Sequence, residues 1–431
     1  MARKMKDSGI EWIGEIPEGW SKNKVIRLFD IIGSGTTPKN ITSDFPVVNW
    51  IQSGDITGSF MPTCKNVISA NLLSQYSALK VYPAPFIIIA MYGASVGNAS
   101  ISLIDGCVNQ ACCVLSSPSC NLHYAFYVIK SAQSYLVRKA VGGGQPNISQ
   151  ETIKQLWLPL PPLSTQDIIV RNLDATCSKI DDLLSSVHAS IEEYKKLKQA
   201  VITQAVTKGV RGEREMKDSG VDYIGQIPAE WVLGKLRNVG DTQNGISKSS
   251  EFFGKGFPFV SYSDVYKNYS LPSTVSGLVD STSEEQKRYS VKKGDIFFTR
   301  TSETIEEVGF SCVCEKDIPN ATFAGFLIRV RPFSDKLYTP YAKYYFRSSH
   351  LRFYLVKEMN LVTRASLGQS LLKSMPVLLP PLEEQKEIAD YLDTKCAEID
   401  GLIAKKDQLV KELESYKKSL IYEVVTGKRE V

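Results

Sequence analysis

Side chains suited to binding, rather than to catalysis, concentrate in turn-rich segments of this 431-residue chain. Hydroxyl and cationic groups contact phosphates, and amide or guanidinium groups form paired hydrogen bonds with base edges. The candidates within residues 1–160 are Thr36, Thr37, Lys39, Asn40, Tyr92, Ser95, Gln145 and Asn147. Those within residues 212–379 are Ser247, Lys248, Ser249, Arg300, Thr301, Ser302, Arg364 and Ser366. For Lys39 and Arg300 phosphate contact is favoured over base contact. The alternative is that these loops only connect elements.

Motifs for phosphoryl transfer, methyl transfer or hydrolysis are missing from the sequence. There is no Gly-x-x-x-x-Gly-Lys-Ser/Thr phosphate loop. Both Pro-Pro-Leu segments lack the Asn-Pro-Pro-Tyr pattern with which an adenine methyltransferase would hold a flipped base. His123, His188 and His350 stand apart from any suitable nucleophile. Nine cysteines are present without the Cys-x-x-Cys spacing of a zinc site. We therefore expect neither a catalytic centre nor a metal site.

Composition and charge indicate an ordinary soluble protein with a slight basic excess. Residues 1–160 carry 13 basic and 9 acidic side chains (+4), and residues 212–379 carry 22 and 19 (+3). Such an excess suits contact with phosphates, but it is equally compatible with ordinary solubilising charge. The first residues lead into no apolar stretch, and Phe86–Met91 is too short to span a bilayer. We expect free thiols, a cytoplasmic location and no membrane contact.

Two segments of the sequence each occur twice. Met5–Trp20 recurs as Met216–Trp231 at an offset of 211 residues, and Leu160–Gln166 recurs as Leu379–Gln385 at an offset of 219. The sequences between these repeated segments, which we call anchors, are hardly similar. Internal repetition indicates duplicated structure, so two variable blocks alternate with two matching segments.

The matching segments predict long helices that pair with each other. No proline or glycine interrupts residues 164–208, and the later copy has only Gly401, so each helix would span about 40 residues, roughly 60 Å. Pairing the copies would bury both apolar stripes; two unrelated bundle helices are the alternative. The predicted helix-pair residues recur mainly at seven-residue spacing: Leu173, Ile180, Val187, Tyr194, Leu197, Val201, Leu392, Ile399, Leu402, Leu409, Leu413, Tyr416 and Leu420.

The variable blocks predict mixed α/β structure. Each combines apolar, β-branched runs with helix-like stretches. The expected strands are Val47–Ile51, Phe86–Ala90, Val108–Leu115, Phe257–Tyr262, Asp295–Thr299 and Phe323–Val330. The expected helices are Leu122–Ala140 and Pro340–Met359.

The repeated anchors resemble those of the specificity (HsdS) subunits of type I restriction-modification systems. The resemblance rests on Met-Lys-Asp-Ser-Gly followed by Ile-Gly-x-Ile-Pro, and on Pro-Pro-Leu-x-x-Gln before a helix. Gly33–Lys39, Tyr92–Gly97 and Gly294–Arg300 are also similar to stretches of that family. The likeness covers the whole chain, and the double occurrence of both anchors makes it specific.

The repeat and the resemblance together predict a mixed α/β fold with pseudo-twofold symmetry. Two globular α/β target recognition domains would be separated by two long helices packed as an antiparallel coiled coil. The expected domains are residues 1–160 and 212–379, and the expected helical spacers are residues 161–211 and 380–431. Because the blocks differ in sequence, each would read a different half of a split, asymmetric DNA site, with the helices setting the spacing.

The resemblance also implies partners and a division of labour. The partners are double-stranded DNA, two methyltransferase (modification) subunits and restriction subunits. S-adenosylmethionine would belong to the modification subunits and ATP with Mg²⁺ to the restriction subunits, so this chain itself would hold no cofactor and would not be an enzyme. The alternatives are a duplicated scaffold that binds two partner copies without DNA specificity and a standalone DNA-modifying enzyme.

Overall fold

The computed structural model describes residues 3–39, 41, 43–142, 144, 146–302, 308–358 and 365–431. The chain divides into two compact units: unit 1 comprises residues 1–187 and 408–431, and unit 2 comprises residues 188–407. Each unit therefore combines one variable block with part of each long helix.

Unit 1 is built on two sheets. The five-stranded sheet has the order β4-β11-β8-β9-β6, and the three-stranded sheet has the order β10-β5-β7 in the numbering that follows. The strands are β1 (Met5–Ile10), β2 (Gly14–Pro17), β3 (Ser21–Lys24), β4 (Ile31–Gly33), β5 (Val47–Ile51), β6 (Phe60–Met61), β7 (Asn66–Ser69), β8 (Phe86–Ala90), β9 (Ala99–Ser102), β10 (Cys107–Val108), β11 (Cys112–Ser116) and β12 (Trp157–Leu160). The shorter helices are α1 (Val25–Leu28), α2 (Leu72–Gln75), α3 (Leu122–Ser131), α4 (Gln133–Arg138) and α5 (Gln150–Lys154).

Strand β8 explains the apolar run Phe86–Ala90. All five of its side chains are buried. Ile87 and Ile89 belong to one hydrophobic cluster, which α3 also lines, while Ile88 and Ala90 belong to another. A strand covered on both faces needs apolar residues at consecutive positions rather than alternating ones.

Unit 2 has the same arrangement of two sheets, but its main sheet has four strands instead of five. Its main sheet has the order β16-β23-β19-β21 and its second sheet the order β18-β17-β22. The strands are β13 (Met216–Asp218), β14 (Gln226–Pro228), β15 (Val232–Lys235), β16 (Gly240–Asn244), β17 (Phe253–Val260), β18 (Leu278–Val279), β19 (Ile296–Thr299), β20 (Thr301–Ser302), β21 (Ser311–Val313), β22 (Thr322–Phe323), β23 (Leu327–Pro332), β24 (Ala365–Ser366) and β25 (Pro376–Leu379). The helices α7–α11 are Tyr262–Lys267, Ser283–Arg288, Thr339–Tyr345, Ser349–Glu358 and Gln369–Ser374.

Two long helices run through both units: α6 (Leu163–Lys208) precedes unit 2's block, and α12 (Leu382–Val425) follows it. Gln166 of α6 donates its side-chain amide to the carbonyl of Pro161 at 2.9 Å, and Gln385 of α12 does the same to Pro380 at 2.9 Å. These bonds give the repeated Pro-Pro-Leu-x-x-Gln motif a structural role at the start of each helix. Both helices are followed by a glycine with positive φ, as in a common helix stop.

In each unit a fully buried tyrosine hydroxyl joins the block to a long helix. In unit 1 the Tyr124 hydroxyl donates to the carbonyl of Pro159 at 3.0 Å and lies 3.1 Å from that of Val425, near the end of α12. In unit 2 the Tyr341 hydroxyl donates to Leu378 at 3.2 Å and lies 3.5 Å from the carbonyl of Val206 in α6. Burial raises the pKa of both hydroxyls well above the ordinary value, so both stay protonated donors.

An ion pair between α6 and α12 is also duplicated. Lys417 lies 2.6 Å from Asp181 in unit 1, and Lys198 lies 2.6 Å from Asp400 in unit 2. In unit 2 the Lys406 ammonium lies 5.6 Å from the Tyr194 ring centroid. Contacts therefore advance along one helix as they recede along the other, which is the antiparallel arrangement. The predicted mixed α/β class and the pairing of the two long helices are confirmed.

The second row of the predicted helix pair is corrected by the structure. Leu197, Leu402, Leu409 and Tyr416 are between 40% and 48% exposed. The inward row instead follows the first at four residues, as in an a/d pattern, and includes Cys177, Leu184 and Cys396. Of the other predicted residues, Leu173, Ile180, Leu392, Ile399 and Leu420 are buried, while Val187, Tyr194, Val201 and Leu413 are partly buried.

Reversing one charge of the unit 1 pair tests its contribution to stability. Asp181→Lys places two ammonium groups together, and we expect the free energy of unfolding to fall by about 1 kcal/mol because Asp181 is 55% exposed. Adding Lys417→Asp should restore most of this loss. Urea unfolding of the single and double variants measures the coupling; strictly additive losses would show that the pair contributes nothing.

The block predictions located the elements but not their breaks. The expected strands Val108–Leu115 and Phe323–Val330 are each divided by a turn, at residues 109–111 and 324–326. The expected helix Leu122–Ala140 is divided into α3 and α4, and Pro340–Met359 into α9 and α10. Phe257–Tyr262 ends early because Tyr262 begins α7, for which Ser261 provides the N-cap.

Candidate nucleic-acid interface

Four loops of unit 1 meet at one edge of its main sheet, and we call them the unit 1 rim (residues 34–39, 91–95, 109–111 and 146–148). The backbone amide of Met91 donates to Ala111 at 2.7 Å, and that of Ile148 donates to Met91 at 2.9 Å. Tyr92 and Asn147 form a β-bridge, and the Thr37 hydroxyl donates to the side-chain oxygen of Gln110 at 2.7 Å. Backbone bonds thus hold loops that the sequence separates widely.

The structure brings most unit 1 candidates onto this rim. Thr37, Lys39 and Asn147 are exposed, Tyr92 is 40% exposed, and Thr36 and Ser95 are half-buried. The Lys39 backbone amide donates to the hydroxyl oxygen of Tyr76 at 3.2 Å, which ties the loop to the end of α2. Asn40 and Gln145 lie outside the described residues.

Unit 2 has a matching rim (residues 244–249, 300–302, 324–326 and 366–369). The Arg300 amide donates to Phe326 at 2.9 Å, and the Leu367 amide donates to Arg300 at 2.7 Å. Thr301 pairs with Ser366 between β20 and β24. Arg300, Thr301 and Ser302 are half-buried, whereas Ser247, Ser249 and Ser366 are exposed. Arg364 lies outside the described residues.

Lys248 is the unit 2 candidate that the structure corrects. Its side chain is 13% exposed, and its ammonium lies 2.7 Å from Glu285 and 2.6 Å from the carbonyl of Asp280. The hydrogen bond from Lys248 is the main reason why the pKa of Glu285 is lowered. An ammonium engaged in this way braces α8 against the loop, which removes Lys248 from the candidates for phosphate contact.

The two rims share a backbone frame and differ in their side chains. The amide of residue 109 donates to Ile51 as that of residue 324 donates to Val260, and equivalent bonds hold Met91 and Arg300, and Ile148 and Leu367. The frame places the following pairs in equivalent positions: Thr37 and Ser247, Met91 and Arg300, Tyr92 and Thr301, Gln110 and Gly325, Ala111 and Phe326, and Asn147 and Ser366. Each rim therefore presents its own set of hydrogen-bonding and apolar groups.

A glycine makes the close crossing of each rim possible. A Cβ at Gly35 would lie 1.6 Å from the carbonyl oxygen of Val108, and one at Gly245 would lie 2.2 Å from that of Ala324. No other residue fits so near a neighbouring backbone. This crossing carries Thr37 and Ser247 over the turns at 109–111 and 324–326.

Gln110 and Phe326 are rim residues that sequence reasoning missed. Both stand on turns inside segments expected to be continuous strands, and Phe326 is 64% exposed. The signals were Asn109 and Gly325, which favour turns.

Three further observations concern the described residues as a whole. Among them, no group of three or more His, Cys, Asp or Glu side chains is arranged to hold a metal ion. No helix in the described part of the chain is long and apolar enough to cross a membrane. His350 is 4% exposed, and burial lowers its pKa to about 4, so it is neutral near pH 7.

Two similar α/β units with loop-borne polar rims and shared long helices define a duplicated recognition protein. A family profile described as "Type I restriction modification DNA specificity domain" matches residues 17–193 and 228–412. The chain therefore belongs to this family and is a type I specificity subunit with two recognition domains. The alternative of a scaffold without DNA specificity is not supported.

Relatives of known name agree with this assignment. The specificity subunit of the type I restriction enzyme MjaVIII from Methanocaldococcus jannaschii is 28% identical over 310 residues, covering 71% of this chain and 69% of the relative. The EcoKI specificity subunit of Escherichia coli K12 is 26% identical over 424 residues, covering 93% and 88%. These relatives are specificity subunits of restriction enzymes.

Solved structures show the same fold. A chain from a study of complex assembly and conformational transition of the type I R-M system superposes with a TM-score of 0.72 at 17% identity, covering 95% of this chain and 98% of that one. The HsdS subunit of Thermoanaerobacter tengcongensis gives a TM-score of 0.50 at 19% identity, covering 96% and 98%.

Proposed function

We propose that each rim contacts one half of a bipartite, asymmetric DNA site, so that the chain gives a type I restriction-modification complex its sequence specificity. The observation that carries this proposal is the pair of rims with one backbone frame and different side chains. A reader of two different half-sites needs a constant support and variable contact groups. Direct readout requires such groups to reach base edges in a groove.

Within this proposal the rim residues divide into two roles. Lys39 and Arg300 contact phosphates, which positions the duplex without selecting a sequence. The residues that would hydrogen-bond base edges or nearby phosphates are Asn147 and Gln110 in unit 1, and Ser247, Thr301 and Ser366 in unit 2. The net charges of +4 and +3 on the two variable blocks (13 − 9 and 22 − 19) support an approach to DNA.

The long helices are proposed to dock two methyltransferase subunits, to which restriction subunits can then be added, and to set the spacing between half-sites. Support comes from apolar side chains that each long helix leaves exposed. They are Leu183 and Leu197 of α6, and Leu402, Leu409 and Tyr416 of α12, which are 40–54% exposed. Exposed apolar rows on helices mark surfaces that partners cover.

The chemistry of such a complex is proposed to lie outside this chain. S-adenosylmethionine would be held by the modification subunits, and ATP with Mg²⁺ by the restriction subunits. This chain would contribute recognition and assembly in the cytoplasm, without a catalytic role of its own.

DNA binding should be sequence-specific and should weaken steeply with salt. We expect the full chain, assembled with its methyltransferase subunits, to enrich one bipartite motif from a random duplex library. Fluorescence anisotropy on that motif should show affinity falling by at least tenfold between 50 and 200 mM salt, because phosphate contacts release counterions. Salt-insensitive binding, or a library that yields no bipartite motif, would refute the proposal.

A further inference from the structure

The turn at residues 109–111 is the most firmly held part of the unit 1 rim. The amide of Asn109 donates to Ile51 at 3.1 Å, the carbonyl of Asn109 accepts from Cys112 at 3.2 Å, and the carbonyl of Ala111 accepts from Met91 at 2.7 Å. The Asn109 side chain also accepts from the Ala111 amide at 3.1 Å. Bonds to two neighbouring segments fix the backbone, so a side chain on this turn projects from a rigid base.

Gln110 is exposed on this turn, and its amide is oriented. Thr37 donates its hydroxyl to the Gln110 side-chain oxygen at 2.7 Å. A carbonyl oxygen has a second lone pair, so this oxygen can accept one further hydrogen bond while the amide nitrogen remains a donor. One acceptor and one donor side by side match the N6–H and N7 groups of adenine in the major groove.

The equivalent turn of unit 2 carries an apolar group instead. Gly325 has no side chain, so this turn carries no group in place of the Gln110 amide, and a Cβ there would require the Ser247 hydroxyl to move. The next residue, Phe326, is 64% exposed although its backbone is bonded to Arg300. An aromatic ring held in water by a rigid turn gains by burial against an apolar partner.

We infer that these two turns are base-reading elements, Gln110 selecting an adenine in one half-site and Phe326 a thymine methyl in the other. This inference rests on the proposed function, because it assumes that the rims enter DNA grooves. A phenylalanine contacts the C5-methyl group of thymine, the one apolar group that base pairs expose in the major groove. Thr37 is a positioning residue that holds the Gln110 amide.

The test selects a random duplex library with the full chain assembled with its methyltransferase subunits. Gln110→Glu removes the donor but keeps the acceptors, so one position should change from adenine to cytosine, whose N4 group is a donor. Affinity for the original motif should fall by about ten- to a hundredfold. Gln110→Ala should leave that position unselective, and Thr37→Val should weaken the preference by less. Phe326→Ala should relax a thymine in the other half-site only.

Gln155→Glu is the matched control, because it adds the same charge to an exposed unit 1 glutamine outside the rim. It should leave every base preference unchanged. If the wild type selects a bipartite motif and the Gln110 variants select the same one with equal strength, the inference is wrong and the proposed function stands. Changes in both half-sites from Gln110→Ala would also overturn it. A wild type that selects no motif would refute the proposed function itself.

Discussion

Exchange of residues 25–156 for the corresponding block of a relative with another specificity is expected to change one half-site and leave the other intact. The structure defines these boundaries: the Val25 amide donates to the carbonyl of Leu156 at 2.9 Å, just inside the β3–β12 strand pair. The two ends of the exchanged block therefore lie next to each other, where each continues into one strand of this pair. Affinity for the original site should fall by about a thousandfold or more, approaching non-specific binding, because the contacts to half of the site are lost.

The matched exchange uses residues 236–375 of unit 2. There the Leu236 amide donates to Met375 at 2.9 Å, inside the β15–β25 pair. Library selection with each hybrid should show reciprocal changes: one hybrid alters the first half-site and the other alters the second. If either exchange rewrote both halves, the two units would not read DNA independently.

The sequence predicted the two units and the paired long helices because these are the parts of the chain that are duplicated. The offset of 219 relates the helix-start glutamines and the charged residues of the two long helices, such as Asp174 and Asp393. In the structure Tyr127 donates to Asp174, and Tyr344 donates to Asp393, each at 2.6 Å. Duplicated contacts of this kind constrain both copies equally, so the aspartates recur in the register of the long helices. The tyrosines are 217 residues apart (344 − 127), and their pairing with the aspartates became evident only in the structure.

The details of the rim could not be predicted because they depend on pairing between distant segments. The turn at 109–111 interrupts an apolar run; Asn109 is bonded back to Ile51, and Gln110 lies exposed between Asn109 and the buried Ala111. Lys248 resembled a phosphate ligand until the fold placed Glu285 beside it. A sequence lists charged residues, but their availability depends on which partners folding brings near.

Which side chains lie between the two long helices also could not be predicted from the sequence. Apolar side chains follow Ile180 at both three-residue spacing (Leu183) and four-residue spacing (Leu184), and alternating three- and four-residue steps fit either row, so periodicity alone admits both. The fold selects the row that contains Cys177 and Leu184, because these side chains pack against the hydrophobic core of unit 1. The other row stays exposed, as the 54% exposure of Leu183 shows.

Loss of Arg214 is expected to produce the largest change in stability. Glu384 is fully buried; its carboxylate lies 2.6 Å from the Arg214 guanidinium and accepts from the Trp231 indole at 2.9 Å. Arg214→Ala leaves this carboxylate buried without its cation, which costs about 3–5 kcal/mol. Hydrogen exchange of the full chain across a urea series measures unit 2 and unit 1 separately.

Unit 1 provides the control for this prediction, because it has the arginine and the tryptophan without the carboxylate. The Arg3 guanidinium lies 5.6 Å from the Trp20 ring centroid, as that of Arg214 lies 5.4 Å from Trp231, but Thr165 occupies the position equivalent to Glu384. Arg3→Ala should therefore cost less than about 1 kcal/mol, the value of an exposed cation–π contact. The double variant Arg214→Met with Glu384→Gln should recover much of the lost stability, because no charge is left buried without a partner and the amide oxygen can still accept from the Trp231 indole. Equal losses from the two arginine variants would contradict the role assigned to Glu384, because only the buried carboxylate distinguishes the two sites.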